Sequence, residues 1–106
     1  MANALPGFIK LLEEKDPELY KVTSQLAELA MAPGALDAKT KVLIAMALDA
    51  AHGAREVVEA LAGRARILGA SEAEIREALR IAYYVAGNGT LATAVAAYPV
   101  SGSSPE

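Results

Sequence analysis

Asp49, His52, Glu56 and Glu59 are the residues of this chain whose types and spacing could carry chemistry. They lie 3, 4 and 3 positions apart, so a helix running unbroken through them would bring one imidazole and three carboxylates to one face. That is a legitimate ligand set for a hard metal, and the same groups can act as a general acid and base. Gly53 works against it, because a glycine in the middle of the face ends or bends a helix. In the simpler reading, His52 covers a helix end while Glu56 and Glu59 pair with Arg55, Arg64 or solvent. His52 is the sole histidine, which excludes a multi-histidine metal site within one chain. There is no cysteine, so disulfides, thiolate nucleophiles, CxxC redox cycling and zinc–thiolate sites are excluded. Gly87-Asn88-Gly89 follows no strand and fits neither GxGxxG nor GKS, so it reads as a turn and not a phosphate loop. Tyr83 and Tyr84 would point about 100° apart on a helix, so at most one faces a core, and packing explains the pair better than catalysis. No motif implies a cofactor.

The elements that must position these residues read as helices, giving an all-α chain of about six. Leu5, Phe8, Ile9 and Leu12 place a first helix over 4–14. Asp16-Pro17-Glu18 supplies a cap, a first-turn proline and an early acid for a second helix to about Met31, with Leu19, Val22, Leu26 and Leu29 as its inner stripe. Pro33-Gly34 ends it. Asp37 caps a third helix, about 38–52, apolar almost all round, as befits a bundle centre or an oligomer interface. His52-Gly53 breaks it, a fourth helix runs over about 54–68, and Gly69 stops that one. Ser71-Glu72-Ala73-Glu74 is a capping box for a fifth helix, about 72–86. A last helix covers about 90–98. Residues 1–98 are expected to form one domain, and the Ser/Gly/Pro segment 99–106 a flexible tail.

The 106 residues allow one modest core. Apolar residues make up 54% but aromatics only 5%, which favours alanine-rich helices at close spacing and leaves apolar surface that one protomer cannot bury. Homo-oligomerisation is therefore expected. Net charge is −3 and the ten basic residues are dispersed, which argues against a nucleic-acid partner. Glu13, Glu14 and Asp16 follow the short Phe8–Leu12 run, unlike a secretion signal. The longest apolar run, Val42–Leu48, is too short for a bilayer. A cytoplasmic protein with no membrane partner is expected.

One longer pattern organises the middle of the chain. It begins with Leu36-Asp37-Ala38-Lys39-Thr40-Lys41 and Leu43-Ile44-Ala45-Met46-Ala47, and passes through His52-Gly53 into a helix. It ends with Leu68-Gly69-Ala70-Ser71 and Glu74-Ile75-Arg76-Glu77-Ala78-Leu79. In this pattern the chain resembles the alkylhydroperoxidase D-like / carboxymuconolactone decarboxylase family, most specifically over 36–80 and in outline over about 5–98. The resemblance implies a helical bundle around a central antiparallel pair, 38–52 and 54–68, assembled as a trimer or hexamer. Redox-active relatives carry Glu, then Cys twelve residues on, Cys three further and His four further. Laid on this chain without a gap, those positions are Val42, Ala54, Val57 and Leu61. In such relatives a helix start favours the thiolate, and the His and Glu relay protons. Here the replacements join Val58, Ala65 and Leu68 in an apolar stripe, so thiol peroxidase and disulfide reductase activities are expected to be absent.

Decarboxylase relatives lack the cysteine pair, so a second activity stays open. His52 would then be the acid/base, with Arg55, Arg64, Tyr83 or Tyr84 orienting a small carboxylic acid or lactone. Two function classes follow: a non-redox protein binding a small molecule or metal, with or without lyase-like activity, or a catalytically silent protein that keeps the oligomeric shell.

Overall fold

The computed structural model describes residues 7–100. Residues 4–6 of the expected first helix, Leu5 included, the side chain of Phe8, and 101–106 of the expected tail lie outside the described residues. The helices are α1 (Gly7–Lys15), α2 (Pro17–Met31), α3 (Ala38–Ala51), α4 (Arg55–Ile67) and α5 (Glu72–Ala94), followed by a 3-10 turn at Val95–Ala97. The chain is all-α, with five α-helices among the described residues where about six were expected. The difference lies at Gly87-Asn88-Gly89, which continues α5 instead of turning. Neither glycine there has a positive φ, and no proline enforces a stop.

Helix starts follow local hydrogen bonding. Asp16 Oδ1 accepts from the Leu19 amide at 3.1 Å, and Asp37 Oδ1 accepts from the Thr40 amide at 2.7 Å. Ser71 and Glu74 form a complete capping box at the head of α5. α3 and α4 both end in a glycine-centred reversal. Gly53 and Gly69 have φ of +77° and +98°. At each, the glycine amide bonds three residues back and the next amide five residues back: Gly53 to Ala50 and Ala54 to Asp49, then Gly69 to Arg66 and Ala70 to Ala65. This is the Schellman arrangement, in which a left-handed residue lets the chain satisfy the last carbonyls.

These reversals fold α4 back along α3. Val42 and Met46 of α3 join Ala65 of α4, Ala70 and Ile75 in one buried cluster, with Leu43, Leu61 and Leu79 packed at its edge. The early part of α3 thus meets the late part of α4, as an antiparallel pair requires. The Lys39 ammonium bonds Glu74 Oε2 at 2.9 Å and ties α3 to the head of α5. The Lys41 ammonium donates to Ala30 O at 3.0 Å and Ala32 O at 2.6 Å, covering the last carbonyls of α2.

α2 departs from expectation in the direction it faces. Leu19, Val22, Leu26 and Leu29, expected to point inward, are 46–74% exposed. The half-buried side is Tyr20, Thr23, Ser24, Ala27 and Met31. Periodicity shows that a helix has an apolar face; which body covers that face depends on tertiary contacts. Tyr83 and Tyr84 both stand exposed near the middle of α5, so neither faces the core. The resulting body measures 60 × 38 × 26 Å with a radius of gyration of 18.7 Å, against about 13 Å for a compact chain of this length. Among the described residues, no helix is long and apolar enough to cross a membrane.

Glycine substitutions separate the two kinds of backbone. Gly69→Ala forces a side chain into the left-handed region and should cost about 1–2 kcal/mol. Gly87→Ala lies in helix with no atom within 4 Å of the new Cβ and should stabilise by about 0.5–1 kcal/mol. Chemical denaturation of both variants checks this, and destabilisation by Gly87→Ala would restore a turn at that point.

Acid sensitivity follows from the carboxylates at the helix heads. Hydrogen bonding to Lys39 lowers the Glu74 pKa, hydrogen bonding to Arg66 lowers that of Glu72, and hydrogen bonding from Thr40 lowers that of Asp37. A carboxylate more acidic when folded contributes stability above its unfolded pKa and loses it as pH falls through the folded one. Stability should therefore begin to fall below about pH 4.3. Glu74→Gln should flatten that fall while leaving an amide able to cap, as measured by thermal melts from pH 7 to 2.

Candidate functional site

The α3–α4 reversal positions the candidate residues. His52 is the C-cap of α3, and its backbone sits near φ −92°, ψ 0°. Its ring Nδ1 lies 2.7 Å from Leu48 O. A carbonyl only accepts, so this contact requires a proton on Nδ1. The side chain is exposed.

Gly53 breaks the helix immediately after His52, so the four candidates do not share one helical face. Asp49 is half-buried on the last turn of α3, whereas Glu56 and Glu59 are exposed on α4. Among the described residues, no group of three or more His, Asp or Glu side chains is placed to hold a metal ion. Neither Glu56 nor Glu59 forms an ion pair there with Arg55 or Arg64. The pairs that do form are Lys39–Glu74 and Arg66–Glu72, the latter with two contacts of 2.7 and 2.9 Å across the Gly69 reversal.

The family-motif positions occupy the inner side of the same hairpin. Val42 is 1% exposed and part of the core. Leu61 is half-buried and packs on that core, and Val57 and Ala54 are half-buried. Ala54 is the N-cap of α4 and gives that helix start no side-chain cap. The reversal therefore presents an open helix head beside an apolar wall.

Other groups near these elements were less visible in the sequence. Arg64 is half-buried, and its Nε is enclosed without a hydrogen-bond partner among the described residues. Its place on α4 was legible; its unspent donor was not, since it depends on what packs around it. Arg76 and Arg80 line a shallow concavity of about 540 Å³ with Tyr83, Ile75, Leu79 and Glu72. Their 4-residue spacing was the available signal. A second concavity, about 380 Å³, lies between α3 and α5, and its walls present no polar surface.

An all-α chain built on a helical hairpin, with an open helix head at its reversal and an apolar stripe behind it, defines a class of small helical proteins. The model of the carboxymuconolactone decarboxylase family matches residues 17–98, and the chain belongs to that family. Neither the comparison with curated proteins nor that with solved structures gave a match.

The capping geometry of His52 yields a direct test. Titration with Mn²⁺, Zn²⁺ or Ni²⁺ should leave the melting temperature of the protein unchanged, in the wild type and in His52→Ala alike. A metal-dependent rise in the wild type that His52→Ala abolishes would restore the four-residue metal cluster.

Proposed function

We propose that this protein is a redox-silent, homo-oligomeric member of the carboxymuconolactone decarboxylase family, keeping the helical frame for assembly and small-molecule binding. The observation that carries the reading is Val42. It stands where redox-active relatives place the proton-relaying Glu, and it is 1% exposed in the core. With no cysteine anywhere in the chain, neither a thiolate nor its relay is present, and Ala54, Val57 and Leu61 complete an apolar stripe. The site is thus degenerate for thiol chemistry, and its residues serve packing. Homo-oligomerisation is supported by the many exposed Leu, Ile and Val side chains set against five buried hydrophobics among the described residues. Purified protein should consume an alkyl hydroperoxide, with a dithiol as reductant, no faster than the protein-free mixture. Enzyme-dependent turnover would overturn the reading.

A second reading, lyase-like action on a small carboxylic acid or lactone, is favoured by the exposed His52 ring at the α3–α4 reversal. Breaking the carbon–carboxylate bond releases carbon dioxide and leaves a carbanion, and His52, having taken a proton from water on Nε2, delivers it to that carbon. Arg55, exposed at the start of α4 three residues after His52, would hold the carboxylate or lactone oxygen. Carbon dioxide release from carboxylated lactones that His52→Ala abolishes would support it, and no release would reject it.

A further inference from the structure

Among the described residues, two apolar surfaces lack a covering partner and match each other in form. One is the outward stripe of α2, Leu19, Val22, Leu26 and Leu29, spaced 3, 4 and 3. The other is the wholly apolar groove between α3 and α5, walled by side chains that include Ile44, Leu48, Ile81 and Val85. An amphipathic helix laid by its apolar stripe into such a groove is a standard mode of recognition. We propose that α2 of a second copy of this chain occupies the α3/α5 groove and that the exchange is reciprocal. This rests on the homo-oligomeric reading above and goes further by naming the seat.

Three observations select a second copy as the occupant. α2 is attached to the rest of its own protomer at its C-terminal end, where Lys41 binds its last carbonyls and Met31 packs against the core. The exposed stripe is carried outward from that attachment. The accessible surface is 8225 Å², against about 5,600 Å² expected for a compact monomer of this mass. The difference, about 2,600 Å², exceeds the ~800 Å² per partner of an ordinary stable interface. Finally, an exchange of identical elements satisfies both surfaces at once, which a two-fold interface achieves without a foreign partner.

The absence of cysteine gives a clean background for covalent trapping. Leu26→Cys on the α2 stripe is mixed with affinity-tagged Ile44→Cys on the groove wall and oxidised. The expected product is a covalent heterodimer, lost when Leu26→Cys is replaced by Glu28→Cys on the far side of α2. Leu26→Glu, which keeps α2 helical but charges the stripe, should release single chains by light scattering. Linkage of Leu26→Cys only to itself, or no linkage in a protein that light scattering shows to be oligomeric, overturns this seat and leaves the oligomeric reading intact. A Leu26→Cys/Ile44→Cys double variant that links only within one chain places α2 in its own groove and overturns the proposal. A wild type of single-chain mass overturns both.

Discussion

Met46 and Ala65 have no exposed surface, and around them two helices of this chain share one closed cluster. The contact depends on chain reversal at both ends of α4. Gly53 turns the chain so that α4 runs back along α3, and Gly69 turns it again so that Ala70 and Ile75 close over the same cluster. Small residues on α4 let the backbones approach, and a thioether from α3 fills the space between them. Around this centre α5 adds Ile75 and Leu79 and the Lys39–Glu74 pair, and the end of α2 adds Met31 and the Lys41 contacts to its carbonyls.

Such a centre is small. Among the described residues only five hydrophobics are buried, little against the conformational entropy of such a chain, while Leu26, Leu29, Ile44, Leu48 and Val85 stand in the open. The same demand for burial bears on the hairpin where relatives perform thiol chemistry. Polar relay groups there would oppose packing, and in this chain Val42 and Leu61 supply packing instead. In the proposed reading, the lack of thiol chemistry and the assembly of copies answer one constraint.

What could be read from the residues was whatever local hydrogen bonding decides. Asp16, Asp37 and the Ser71/Glu74 box announced three helix heads, and Gly53 and Gly69 announced two helix ends, since caps and left-handed turns act within five residues. The place of His52 at a helix end was legible for the same reason. The direction of the α2 stripe was not, because an amphipathic pattern is identical whether its partner is the same chain or another. Gly87-Asn88-Gly89 misled for a related reason. Glycine permits a turn without requiring one, and the neighbouring helix formers carried α5 through. The enclosed Nε of Arg64 depends on surroundings assembled from distant positions.

The claim that the protomer is completed by copies of itself is tested most directly by native mass spectrometry of freshly purified wild-type protein at micromolar concentration. The account predicts an assembly of at least two chains, at an integer multiple of 11.0 kDa, with no population of single chains. A single well-folded species at 11.0 kDa across that range would contradict it.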